Sequence, residues 1–120
     1  MRNDENSTML DAGVLTICSL VDSSTTGQKP IKRLQLGNDC FYGERIVGYG
    51  RQYAAMGVSE RIDMLVRIWQ DRSVRTGMYV LLENGEQYRI GNVQHLADCD
   101  GLLVTDLSLE RLDDLYEVTG

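Results

Sequence analysis

From Ile62 to Val93 the apolar positions recur every second residue, which is the signature of half-buried strands. Ile62, Met64, Val66 and Ile68 alternate with Asp63 and Arg67, predicting a strand over Ile62–Trp69. A second apolar run, Tyr79 to Leu82, precedes Asn84-Gly85, and a third, Gln87 to Val93, follows it. Asn-Gly between such runs predicts a hairpin with a two-residue turn, because that turn type needs φ > 0 at both central positions. The register this implies sets Leu82 opposite Gln87, Leu81 opposite Tyr88, Val80 opposite Arg89 and Tyr79 opposite Ile90. Opposed residues share a face, so Tyr79, Leu81, Tyr88 and Ile90 are expected to form one apolar surface. Three strands with one wet face suit a small antiparallel barrel or sandwich.

The flanking chain extends this reading. Met1–Met9 is polar and aperiodic and is expected to be a flexible arm. Gly13–Val21 is apolar and β-rich, a first strand. Asp22–Pro30 holds the only proline and reads as a loop. Ile31–Leu36 alternates weakly, Asn38-Asp39 signals a turn, and Phe41–Tyr49 reads as a further strand. Gly50–Arg61 lacks strand alternation, and Arg51–Met56 is the one short helix expected, stopped by Gly57. So short a helix is marginal alone and needs contacts to hold it. His95–Asp100 reads as a polar loop closed by Asp100-Gly101, and Leu102–Leu109 as a last strand. Leu109, Leu112 and Leu115 recur at helical spacing, predicting a helical turn in the acidic tail, residues 111–120. The fold class is therefore mainly β, one domain over residues 1–120, with the barrel core over 10–110.

Length and composition limit the rest. A chain of 120 residues supports one core. The net charge of −6 argues against wholesale nucleic-acid binding. That charge is uneven. Lys29–Arg75 holds nine basic and five acidic residues, a local +4, whereas Leu96–Gly120 holds seven acids and one base, a local −6. Cys18, Cys40 and Cys99 have no paired spacing, which points to free thiols in a reducing compartment. No apolar run reaches the length of a membrane span, and no signal peptide opens the chain, so a soluble protein is expected.

Candidate chemistry is sparse. His95 lies near Asp98, Cys99 and Asp100, but a second strong pair for a tetrahedral zinc site is missing. A Cys-His nucleophile pair has nothing local to single it out. Gly48-Tyr49-Gly50 lacks the third glycine of a phosphate-binding turn. Asp113-Asp114 are adjacent and do not make an acid/base pair. No cofactor, metal or catalysis is expected. Arg45, Arg51, Arg61, Arg67, Arg72 and Arg75 are interleaved with Tyr49, Tyr53 and Trp69. That mixture suits either a protein interface or an OB-type barrel that stacks single-stranded nucleic acid.

Several stretches together resemble a known family. These are Ile46-Val47-Gly48-Tyr49-Gly50-Arg51-Gln52-Tyr53-Ala54-Ala55, the Ile62–Trp69 strand, Gly85-Glu86-Gln87-Tyr88-Arg89-Ile90, Asp100-Gly101-Leu102 and Leu107-Ser108-Leu109-Glu110-Arg111-Leu112. The chain from Val14 onward resembles the head–tail joining proteins of tailed phages and prophages, the head-closure or stopper components. The extended acidic C-terminus departs from that pattern. The resemblance implies a small β-barrel assembled as a ring, hexameric or dodecameric, below the portal. Such a ring continues the DNA channel, helps retain packaged DNA without reading its sequence, and docks the tail. Its partners would be other copies, the portal or adaptor protein, and a tail-completion or tail-tube protein, with no membrane involved. It would reside at the virion head–tail junction and, during assembly, in the host cytoplasm. The alternatives are a tail-completion or adaptor role in the same connector, or the nucleic-acid-binding barrel. The loop expected to meet the channel or a partner contains Tyr49, Arg51, Gln52, Tyr53, Met56, Glu60 and Arg61. The residues expected at a subunit interface are Arg67, Trp69, Arg72, Asp113, Asp114 and Glu117.

Overall fold

A computed structural model describes residues 10–22, 27, 31–45 and 62–120. The expected arm, Met1–Met9, the short helix over Arg51–Met56 and the end of the Phe41–Tyr49 strand lie outside the described residues. Seven strands follow one another: β1 (Gly13–Asp22), β2 (Lys32–Arg45), β3 (Met64–Trp69), β4 (Tyr79–Leu82), β5 (Gln87–Ala97), β6 (Leu103–Arg111) and β7 (Glu117–Thr119). Their order is β1-β4-β5-β6-β3-β2-β7, and β1 also pairs with β2. The first six therefore close on themselves as a barrel, which removes most of the exposed edge an open sheet would carry. All pairings within the closure are antiparallel, and β7 joins β2 in parallel outside it. Among the described residues there is no helix, and so no helix fit to cross a membrane.

The interior follows from period-2 alternation. Leu15 and Ile17 of β1, Val66 and Ile68 of β3, Val80 and Leu82 of β4, and Leu107 and Leu109 of β6 point inward and are buried, together with Tyr88 and Ile90 of β5. Of the inward set expected for Ile62–Trp69, Val66 and Ile68 are in the core and Met64 packs partly buried against it, whereas Ile62 precedes the strand, and Arg67, expected on the wet face, is buried too. Val74, from the β3–β4 loop, is 2% exposed and closes one mouth of the barrel. Asp71 holds that loop by accepting hydrogen bonds from the Ser73 N–H and hydroxyl, an Asx-turn that aims Val74 inward.

The hairpin at Asn84-Gly85 forms, with a different turn. Gly85 donates to the Leu82 carbonyl at 3.0 Å and Leu82 donates to the Glu86 carbonyl at 2.9 Å. That is a three-residue loop, a tight turn followed by Gly85 at φ +90°, while Asn84 stays at negative φ. The extra loop residue moves the register by one: Val80 opposes Tyr88 and Leu81 opposes Gln87. Every side chain of β4 thereby changes partner, and the predicted surface of Tyr79, Leu81, Tyr88 and Ile90 is split. Val80, Leu82, Tyr88 and Ile90 line the barrel interior, whereas Tyr79 and Leu81 lie outside it in a second cluster. Asn84 instead accepts from the Glu86 N–H and donates to its carboxylate, which stabilises the turn from outside.

Three further expectations are corrected. Asn38-Asp39 is no turn: β2 runs through it, and the register against β1 shifts between Thr16 and Cys18. The extra residue is absorbed as a bulge on β2. Gly37 serves that bulge, because a Cβ there would sit 2.6 Å from the Ile17 carbonyl oxygen. His95 is in β5, which continues to Ala97 before the turn that ends at Gly101, φ +82°. The acidic tail makes no helical turn. Leu109 ends inside the barrel, Leu112 donates its N–H to the Gln87 carbonyl, and the chain bends at Asp113 and Asp114 before it enters β7.

Candidate functional site

Two opposite walls of the barrel carry the features that distinguish its surface. In the closed order β4 is three strands from β3 in either direction, and β1 is three strands from β6. The β3–β6 wall and the β1–β4 wall therefore face away from one another.

On the β3–β6 wall, Leu65, Arg67, Val104, Asp106 and Ser108 point away from the barrel interior yet are buried. Arg67 and Asp106 are direct cross-strand partners. Arg67 donates from Nε to Oδ1 at 2.7 Å and from a terminal nitrogen to Oδ2 at 3.0 Å, a bidentate pair. The hydrogen bond to Asp106 raises the Arg67 pKa against the opposing effect of burial, so the guanidinium stays charged. Arg67, expected at a subunit interface, is thus engaged inside its own subunit.

The same wall ends in exposed apolar side chains. Trp69 opposes Val104 and is 49% exposed, and Leu102, two residues before Val104, is 47% exposed. Phe41 is 64% exposed. It lies two residues from Gly43, whose partner is Arg67, so by alternation it faces outward beside Trp69 where β2 and β3 diverge. Gln70 donates to the Val104 carbonyl at 3.4 Å and accepts from Arg72 Nε at 3.2 Å. This chain of contacts sets the Arg72 guanidinium at the rim of the Trp69 patch. The nearby acids Asp71 and Asp98 turn their carboxylates onto backbone N–H groups of their own turns.

The β1–β4 wall is covered differently. Cys18, Leu34 and Tyr79 are buried outside the barrel, with Leu20, Leu81, Leu112 and Tyr116 packed on them. The C-terminal segment makes this layer. Gln87, 3% exposed, donates to the Tyr116 carbonyl at 2.8 Å and accepts from the Tyr116 N–H at 2.9 Å. Tyr79 and Tyr116 meet edge to face, centroids 5.7 Å apart. Beyond this clamp β7 pairs with Arg33–Gln35, and Arg33 reaches Glu117 at 3.4 Å. Asp113, Asp114 and Glu117 are exposed, and Leu115 between them is 60% exposed. Leu112, Leu115 and Asp113 share an open groove of about 230 Å³ with the hairpin loop, where Arg111 pairs with Glu86 at 2.9 Å.

The other candidate groups lie in structural roles. Burial pushes the Cys40 thiol up to about 11, with Asp71 and Asp39 adding to the effect, and burial also raises Cys18. Neither is a thiolate near neutral pH, so neither is an activated nucleophile. His95 Nδ1 lies 2.8 Å from the Thr105 hydroxyl, which also accepts from the Asp71 N–H. Among the described residues no group of three or more His, Cys, Asp or Glu side chains is placed to hold a metal ion.

Of the expected interface residues, the structure brings Trp69 and Arg72 together on one wall, and Asp113, Asp114 and Glu117 on the other. Tyr49, Arg51, Gln52, Tyr53, Met56, Glu60 and Arg61 lie outside the described residues. Sequence reasoning missed Phe41, Leu102, Leu115 and the Gln87 clamp. The signal for Phe41 was available, since it is the only phenylalanine and sits in a polar stretch. Comparison with protein families finds no family model that matches the chain, and comparison with curated proteins finds no match.

Proposed function

We propose that this chain is a structural subunit that assembles with copies of itself into a ring, as the head-closure component of a tailed-phage or prophage connector. One observation carries the assembly part of this reading. The barrel bears two unlike apolar surfaces on opposite walls, one rimmed by Arg72 and one by Asp113, Asp114 and Glu117. A closed ring of identical subunits uses a heterologous interface, in which one face meets a different face of the next copy. Aromatic residues and arginine are what protein interfaces concentrate. The connector part rests on the family resemblance of the sequence motifs. In this role the ring would extend the portal channel, help retain DNA and dock the tail.

Silencing the gene in the phage or prophage that carries it tests the reading. The expected outcome is heads without tails, with packaged DNA lost. Normal tailed, infectious particles would overturn it. The nucleic-acid-binding alternative is less supported, because Arg67 is engaged by Asp106 and does not join an exposed basic strip. A filter-binding measurement with single-stranded DNA over a salt series separates the two, since a true binder weakens steeply with salt.

A further inference from the structure

We infer that the C-terminal strap is an exchangeable strand, and that the seat holding it within one subunit takes the same segment of a second copy. What fits that seat is visible in the subunit itself. The Gln87 side chain grips Tyr116 at both its backbone N–H and its carbonyl, and the Tyr116 ring meets Tyr79 edge to face. Beyond it Glu117, Val118 and Thr119 pair in parallel with Arg33, Leu34 and Gln35, and Arg33 reaches Glu117 at 3.4 Å. A second copy carries the identical segment, so each of these contacts can be remade between subunits.

The hinge favours that exchange. Leu112 donates to the Gln87 carbonyl and Tyr116 to the Gln87 side chain, so both ends of Asp113-Asp114-Leu115 are pinned on one residue. The chain bends at Asp113 and Asp114, and Leu115 is left 60% exposed. A short hinge invites exchange, because the closed form must bend it and the exchanged form lets it extend. Extended, it carries Tyr116 at most about 14 Å from Leu112. The receiving Gln87 has to lie within that reach, which brings the strap walls of two copies together. Each copy then gives a strap and receives one, so exchange ends at a two-fold dimer. The carboxylates of Asp113 and Asp114 from both copies approach there, so salt favours the dimer by screening them. The dimer occupies the strap wall that the proposed ring also uses. It is therefore a state beyond the ring reading and does not rest on it.

The test uses full chains in which the exposed Cys99 is removed by Cys99→Ser. One preparation also carries Arg33→Cys and another Glu117→Cys. The two are mixed near millimolar concentration, incubated, oxidised gently and run on a non-reducing gel. Residues 33 and 117 are register partners, so a disulfide joins the two preparations when the strap of one sits in the seat of the other. The covalent heterodimer is expected at about ten times the yield of a control mixture of Arg72→Cys and Glu117→Cys chains, because a seated strap holds its thiol at high effective concentration. Its yield should rise with protein concentration and with salt. It should fall when glycines inserted after Asp114 lengthen the hinge and relieve the closed form. A chain carrying both Arg33→Cys and Glu117→Cys, oxidised when dilute, should close within itself and show that the bond can form. Heterodimer no more abundant than the control, with that internal bond made, overturns the exchange. If the internal bond does not form, Gln35→Cys and Thr119→Cys, the next partners on the same face, replace the pair throughout. Either result leaves the ring reading to the tailless-particle experiment.

Discussion

The two opposite walls of the barrel both carry buried side chains on their outward faces, but of unlike kinds. The β3–β6 wall holds a cross-strand ion pair, Arg67–Asp106, between strands that are neighbours in the sheet. The β1–β4 wall holds an apolar layer closed by a segment that arrives from the far end of the chain. The difference is one of replaceability. An ion pair in a buried site balances a large desolvation cost against a large attraction, so its loss by halves is severe while its loss entire is mild. A strap held by a few hydrogen bonds and side-chain contacts can open without the barrel beneath it opening.

The largest expected effect breaks the first wall. Arg67→Met leaves Asp106 buried without its cation and should lower unfolding free energy by about 3–5 kcal/mol. Adding Asp106→Leu should recover most of that loss. Urea unfolding of both variants checks the pair, and a single variant as stable as the wild type would show that the charges do not determine this wall.

Next is the strap. Gln87→Ala removes both hydrogen bonds to the Tyr116 backbone and should cost about 1–3 kcal/mol. It should act locally: the Val118 amide should exchange faster while Ile68 and Leu107 keep their protection. Cys18 reports the same event, because it is buried under the strap. Its alkylation should accelerate in Gln87→Ala while that of Cys40, in the barrel, does not. Equal acceleration of both thiols would mean that strap and barrel open together.

A smaller effect is expected at the hairpin loop, which borders the strap wall. Gly85→Val places a β-branched residue at φ +90°, with nothing within 4 Å of the new Cβ, so the cost is backbone strain alone, about 1–2 kcal/mol. Thermal denaturation checks this, and a loss of more than about 4 kcal/mol would point to wider disruption than backbone strain.

The mildest test is pH. The Cys40 thiol is raised in the fold from 9.0 to about 11. The unfolded chain therefore releases this proton first. The contribution of the protonated thiol is complete below about 9 and is lost as pH rises through about 11. Cys40→Ala should flatten that part of the stability profile. An unchanged slope would assign it to Cys18, Tyr42, Tyr79 and Tyr88, which burial also raises.

Much of this fold was legible one strand at a time. The alternation of Met64, Val66 and Ile68 marked the inward face of β3 correctly, and the stretch before Asp22 read as a strand. Trp69, Arg72, Asp113 and Asp114 were expected together at a subunit interface, but their division between two walls was not foreseen, because spatial separation depends on strand order. Leu112 and Leu115 show why periodicity failed in the tail. Their spacing of three fits a helix, yet Gln87 takes up the Leu112 and Tyr116 backbone groups a helix would have used internally. Asn38-Asp39 failed for a related reason, since a partner strand that continues past a turn signal turns it into a bulge.

By itself the sequence determined the β class, the site of the hairpin, the inward face of β3 and the uneven charge, all of which follow from local periodicity and composition. Tertiary structure alone decided the register. One residue added to the Asn84-Gly85 loop exchanged the partners of β4 and sent Tyr79 and Leu81 out to the strap wall. It also decided that Arg67 would be buried with Asp106, 39 residues away, and that the acidic tail would lie opposite Trp69. The physical reason is that side-chain alternation has a period of two and cannot distinguish a pairing from its neighbour one residue along. Closure of the barrel makes that choice, by burying one set of faces inside and turning the other outward, where the strap covers part of it.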